Sequence, residues 1–363
     1  MKSIHLIEPS RLAKIPEEHW AAHEFCFHLH DLMLQLLRQM DIQKAGHIKF
    51  EIESEEDRNL LLSGMHVLDF LAKSGRRDLE RRAVVNHLSN ALYADMLNFI
   101  YEGLRALEKR KFSVAFNLLR KPFKEGMLIA AQLCADETAF FERMKSDAQN
   151  LLNKRELNED GTKALLKTAI KACRGADLID AESVYSVVFD RGNDLGFAGL
   201  FDKATHLVTE YSKIRTENYN INFIFKDPRD NDIYEGSTYA DLATLLLFLN
   251  LMQLELYGRM REPSKKYRDW MLFTSIGAFE ALFTNDRSGM TALVNRHFKD
   301  YLKCPICEKP TKVKKADAPR FFVGEVLHCP SCRSDQHFPL GWLLSQLDLD
   351  LFDPSPAGPT NQL

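Results

Sequence analysis

The sequence lacks the marks of several large functional classes. Its 363 residues contain no Gly-x-x-x-x-Gly-Lys-Ser/Thr loop, no Gly-x-Gly-x-x-Gly turn, no Gly-x-Ser-x-Gly elbow and no His-Glu-x-x-His helix. The backbone cradles and helix faces that those chemistries need are therefore missing. Charge of one sign is also missing: 48 basic residues face 51 acidic ones, for a net charge of −3. That balance excludes a polyelectrolyte binder of nucleic acid or of a membrane surface. The opening stretch "MKSIHLIEPSRLAKIPEEHW" has no apolar core and no small-residue cleavage site. It predicts no secretory signal, and the expected compartment is the cytoplasm. The most apolar run, "LATLLLFLNLMQLEL" from Leu242 to Leu256, already contains Asn250, Gln253 and Glu255. A bilayer span takes about twenty apolar residues, so this run predicts a buried helix and no membrane partner.

What is present is helical periodicity. With 45% hydrophobic and 27% charged residues the chain can bury a core of ordinary size. From Pro16 to Met40, residues Phe25, Cys26, Leu29, Met33, Leu36 and Met40 recur at three- and four-residue steps. Ser54 and Asp57 predict a capped helix to about residue 72. A third pattern runs for about thirty residues from Leu79, and a fourth from Phe112 to Cys134, where Pro122 predicts a kink or two abutting helices. Polar helices follow to Arg174, with a turn at "LNEDG", and another helix is predicted over 195–211. Two segments change period. "IKFEIES" alternates and predicts a short strand, and "YNINFIF" predicts a strand returning through "KDPRDND" to Ile233 and Tyr234. The acidic residues of that turn do not match a calcium loop and read as a solvated bend. Thr238 with Asp241 predicts the cap of the apolar helix, and a last helix covers 264–283. The expected fold is mainly α: a helical bundle-like body over 1–300 with one small β-hairpin, a β-rich unit over 301–345, and a disordered tail over 346–363. The stretch near 155–195 is where the body could divide into two subdomains.

The β-rich unit carries the strongest motif. "CPIC" places Cys304 and Cys307 three apart, and "CPSC" does the same for Cys329 and Cys332, with 21 residues between the pairs. Each pair can offer two thiolates to one ion. The other cysteines, Cys26, Cys134 and Cys173, are scattered through helical patterns, and an odd total of seven argues for thiols and metal rather than a disulfide framework. The forty-residue unit resembles the zinc-ribbon family. That likeness implies a Zn ion held by the four cysteines, "RFFVGEVLH" as a strand, and binding of protein or nucleic acid. Four thiolates leave no open position, so the metal is expected to be structural. His328 and His337 stand beside the second pair and are expected not to be needed as ligands. Seven basic residues lie among three acidic ones between Lys303 and Arg333, but Asp335, Asp348, Asp350 and Asp353 follow. A phosphate reader followed by its own acidic competitor is a poor design. The apolar segment after it, Phe338 to Leu347, needs a surface to bury on. The unit therefore predicts a protein partner or self-association ahead of nucleic acid.

Three constellations in the body offer chemistry. His23, Cys26 and His30 share roughly one helix face and could form half a metal site, or simply flank a core cysteine. Arg82 and His87 fit Arg-x4-His, which resembles the active-site motif of the HEPN family of helical ribonucleases. That likeness implies RNA cleavage without metal, in a cleft between two subunits, as in defence or toxin systems. The alternative is that His87, between Ala83 and Ala91, packs on the apolar edge. In "NLLRKPFKEG", Arg120, Lys121, Lys124 and Glu125 interrupt an apolar helix. The stretch is similar to a motif of helical bacterial proteins, some grouped with HEPN-like defence proteins, over about the first 220 residues. One reading is a buried clasp between Arg120 and a carboxylate at a kink, with Lys121 and Glu125 as an i,i+4 surface pair. The other is a site for a ligand or an RNA phosphate, which His206 could join. Whether the chain is an enzyme or a binding protein stays open at the level of sequence.

Overall fold

The computed structural model describes residues 3–346 except 53, 212–214, 224–227 and 285–288; the side chains of 228–231 are also left undescribed. The amino-terminal arm carries a short helix, α1 (Pro9–Leu12), and is tied to α2 (Trp20–Ile42) by one carboxylate. Glu24, fully buried, accepts from the backbone N–H groups of Ile4, Leu6 and Ile7 at 2.5–3.2 Å and from the Ser3 hydroxyl at 2.9 Å. A buried carboxylate is tolerable only with such a set of donors. The predicted apolar face of α2 is buried from Phe25 to Met40.

Residues 48–52 form no strand; Phe50 instead stacks on Phe70 at 5.7 Å, and no second strand stands beside them. Ser54 caps its helix as predicted, accepting from Asp57 N at 3.0 Å. That helix divides into α3 (Glu55–Leu62) and α4 (Val67–Lys73), because Gly64 takes a left-handed φ of 79°. The long α5 (Arg77–Glu108) follows. The fourth pattern gives α6 (Phe112–Lys121), one π turn over Pro122–Gly126, and α7 (Met127–Ala135). The missing proline N–H is absorbed by that wider turn, so the chain continues in line as two abutting helices.

The polar stretch gives α8 (Glu137–Asp147), α9 (Glu159–Ala172) and α10 (Ala181–Val188), and α11 spans Phe197–Thr205. No strand forms over 219–223, the described part of the expected hairpin strand, and 224–227 lie outside the described residues. Tyr219 and Phe223 have φ of 62° and 57°, which a strand does not accommodate. Asn222 bonds the His206 carbonyl and the Thr209 hydroxyl, local bonds that compete with a ladder. Ile233 and Tyr234 belong to α12 (Pro228–Met260). The aromatic alternation serves packing instead: Phe223 meets Tyr234 at 5.6 Å and Phe116 at 6.2 Å. Thr238 and Asp241 are consequently interior to α12 and cap nothing.

By length and composition α12 is apolar enough to cross a membrane, and most of that window is buried inside the fold. Leu242, Ala243 and Leu245 to Leu249 are enclosed by α2, α5, α7 and α13 (Lys265–Phe283). Two polar groups lock it in register. Gln253 Nε2 donates to Met33 O at 3.1 Å, and Tyr93 Oη donates to Leu249 O at 3.0 Å. After α14 (Gly289–His297) the cysteine-rich unit packs on α13. The first half of the predicted strand "RFFVGEVLH" is helical, α15 (Ala318–Gly324). Only β1 (Val326–His328) is extended, pairing antiparallel with β2 (Asp335–His337) in the one sheet among the described residues. A last helix, α16 (Leu340–Ser345), buries Leu340 and Leu343 on α13. The predicted tail lies outside the described residues from 347 onward. Phe322 of α15 lies edge-on to Phe273 at 5.1 Å and directly over Gly277, where a β-carbon would come within 2.5 Å of its ring. One continuous apolar core thus runs from α2 through α13 to Phe338 and Leu343.

Candidate metal centre and cationic cleft

The two Cys-Pro-x-Cys segments fold alike. In the first, Glu308 N donates to Cys304 O at 2.8 Å and Cys304 N to Lys309 O at 3.0 Å. In the second, Arg333 N donates to Cys329 O at 2.8 Å and Cys329 N to Ser334 O at 2.9 Å. Each turn closes with a non-glycine residue in the left-handed region, Glu308 at φ 56° and Arg333 at φ 59°. Such a conformation is uncommon and needs compensation. It wraps each backbone so that two sulfurs face the other pair.

The sulfurs of Cys304, Cys307, Cys329 and Cys332 all lie within 4.8 Å of one another. The cross-pair separations are 3.6 Å (Cys304–Cys332) and 3.7 Å (Cys307–Cys329). A tetrahedron of sulfurs about 2.3 Å from a metal has edges of about 3.8 Å, so the donor set fits a tetrathiolate centre. Local donors favour the thiolate at Cys304, where N–H groups of Cys307 and Ile306 aim at the sulfur and bring its pKa down to about 6 against desolvation. At Cys307 the Lys309 N–H is outweighed by desolvation and the crowding of the other sulfurs, which push that thiol up to about 11. Cys332 is lowered chiefly by the Ser334 hydroxyl, 2.9 Å away. The neighbouring histidines are held by carboxylates: His328 Nδ1 lies 2.7 Å from Asp335, and His337 Nε2 lies 3.6 Å from Glu325. Asp335 also pairs with Arg320 at 2.9 Å, so one of the unit's basic residues is committed. Among the described residues this is the only group of three or more metal-capable side chains. His23 and His30 are directed elsewhere, His23 toward Glu108 at 3.5 Å and His30 toward Asp31 at 2.9 Å; burial pushes the Cys26 thiol far up.

Arg82 and His87 are not brought together. Arg82 is paired with Glu137 and donates to Arg259 O at 3.3 Å. Residues five apart on a straight helix point about 140° from one another, and His87 is exposed rather than packed on an apolar edge.

Arg120 and Glu125 do meet. They straddle the π turn, with Nη1 and Oε1 3.3 Å apart. Lys121 pairs instead with Asp95 at 2.7 Å and lies over the Phe99 ring, so the anticipated Lys121–Glu125 pair does not form. Arg120, Lys124 and Glu125 line a cleft of about 490 Å³ whose other wall comes from α9, α10 and the loop after α10. Arg191, on that loop, and Lys124 both reach the buried Asp202 of α11, at 2.8 and 3.7 Å. Burial pulls the Lys124 pKa down, Asp202 opposes this, and the neighbouring Arg120 and Arg191 charges pull it down further. Arg191, Asp202, Tyr185 and Phe189 were not singled out from sequence; they stand some 60 to 80 positions from Arg120, and only the stacking-prone spacing of Tyr185 and Phe189 hinted at a shared face. His206 does not line the cleft; it is exposed at the end of α11, its backbone carbonyl held by Asn222.

No protein-family model, no curated protein and no solved structure matches the chain, so nothing beyond the short motifs supports the HEPN likeness.

Proposed function

We propose that the chain is a cytoplasmic assembly or accessory protein whose C-terminal unit is stapled by one structural zinc ion and docks a protein surface. The observation that carries this reading is the closed set of four sulfurs within 4.8 Å. Zinc is the metal that such a tetrathiolate favours, and four thiolates leave no position for water or substrate. Two apolar side chains support the docking role: Ile306, in the first knuckle, is 62% exposed, and Trp342 of α16 is 46% exposed. Exposed apolar groups on an otherwise well-packed unit are characteristic of protein contacts.

The test is metal analysis of the purified chain together with sedimentation across a concentration series. One zinc per chain is expected, with association weakened in an Ile306→Ser/Trp342→Ser variant. A chain without zinc, whose Cys304→Ser variant melts like the parent, ends the reading. Ribonuclease chemistry at Arg82 and His87 draws no support from their separate environments, and neither does nucleic-acid binding from the Arg320–Asp335 pair.

A further inference from the structure

The cleft beside the π turn holds more positive charge than its own carboxylates balance. Arg120, Lys124, Lys154 and Arg191 line it, and so do Glu125 and Glu159. Glu159 is already paired with Lys163 of its own helix at 2.9 Å. The four cations are thus left with Glu125 and the Asp202 carboxylate behind the wall. Lys124 sits 3.7 Å from Asp202, long for a strong ion pair, while Arg191 takes the same carboxylate at 2.8 Å. Arg120 completes the case. Its Nε is buried and has no hydrogen-bond partner, although one Nη reaches Glu125. The Arg120 side chain as a whole is 37% exposed, so its guanidinium is within reach of an incoming anion.

The opposite wall has different chemistry. Tyr185 and Phe189 are stacked at 5.9 Å with an interplanar angle of 29°. They line the cleft together with Leu128, Leu152 and Leu157. A cavity of about 490 Å³ is in the range that small-molecule sites occupy. One side therefore asks for an anion with several acceptor oxygens, and the other offers the aromatic surface of Tyr185 and Phe189 to a flat ring, with the Lys163 ammonium 5.0 Å from the Tyr185 centroid. The π turn places Arg120, Lys124 and Glu125 on one side, a use to which such turns are often put.

We propose that this cleft binds a nucleoside monophosphate, its phosphate against Arg120, Lys124 and Arg191 and its base against the Tyr185–Phe189 wall. The site is independent of the metal unit and adds a ligand to the reading above. The proposal is for binding; Glu159 on the opposite wall is already paired with Lys163.

The test is calorimetric titration of the full, zinc-loaded chain with the four ribonucleoside 5′-monophosphates and with inorganic phosphate. At least one nucleotide is expected to bind about tenfold or more tightly than phosphate alone, with the advantage shrinking as salt rises. Lys124→Gln and Arg191→Gln should each weaken it by about tenfold, while Tyr185→Leu should weaken the nucleotide and spare phosphate. Arg191 is half exposed, so its variant keeps the test alive if Lys124→Gln fails to fold. Nucleotides that bind no better than phosphate overturn the proposal. So does a folded Arg191→Gln protein with parental affinity, or binding of an RNA oligonucleotide by a chain that ignores every mononucleotide.

Discussion

The metal unit and the cleft at the π turn gather like charges by opposite means. In the unit, four sulfurs converge with backbone N–H groups behind them, a set that one metal ion could compensate. In the cleft, cations from α6, the π turn and the loop after α10 converge on too few carboxylates. The first arrangement is closed, since every ligand is spent on one partner. The second is open, since a buried donor remains unspent. A closed cluster stabilises a fold; an open one stores an affinity.

The sharpest way to break this contrast is to remove the metal. Structural zinc contributes about 10–16 kcal/mol in small metal-folded peptides, so chelation or Cys304→Ser should strip hydrogen-exchange protection from β1, β2 and α16. The cleft should keep its protection. Equal loss in both regions would show that they form one cooperative unit. Phe322→Ala probes the join between unit and body. Removing a fully buried ring that lies over Gly277 should cost about 3–5 kcal/mol in urea denaturation, and a cost near zero would mean that α15 is not anchored there.

Acid should attack the body through its buried imidazoles. Burial depresses His28 to about 4 and also lowers His23, which is fully buried. Folding therefore excludes protons that the unfolded chain would take up. The stabilisation is fully present above the ordinary imidazole pKa of about 6.5, and it drains away as pH falls toward 4, on the order of 3 kcal/mol for His28 alone. A melting temperature flat from pH 7 to 4.5 at saturating zinc would contradict this. The smallest effect is expected at Gly126, which closes the π turn. A β-carbon there would meet Met96, so Gly126→Ala should cost toward the low end of about 1–3 kcal/mol, because the thioether can shift. It should also lower any cleft affinity without touching zinc content.

The contrast also explains what was legible in the sequence. The metal unit is written in short spacings, a step of three within each pair and one loop between, and thiolate chemistry does the rest. Pro122 likewise announces its break locally, although the π turn that absorbs it does not. The cleft is written across three elements. Arg120 and Glu125 stand out as charges in an apolar helix, but Asp202 and Arg191 join them only once α11 packs on α6. The hairpin misreading has a related cause. Alternating aromatics at 219–225 signal a strand, yet Phe223 spends its burial against Phe116, over a hundred positions away. The position of His87 between Ala83 and Ala91 suggests an apolar edge, yet Ala91 is exposed as well, and pattern alone does not say which side a neighbour will cover.

One bond described above has a meaning in time. Gln253 reaches back to Met33, 220 positions earlier, and the buried face of α2 waits for α12 to supply that partner. At 5–20 residues per second, synthesis leaves roughly 10–45 s between the two helices emerging. For that interval α5 covers one flank of α2 while Phe25, Leu29 and their neighbours keep an unmatched apolar stripe. During synthesis, therefore, that stripe has its α12 partner only after the ribosome has passed the whole middle of the chain.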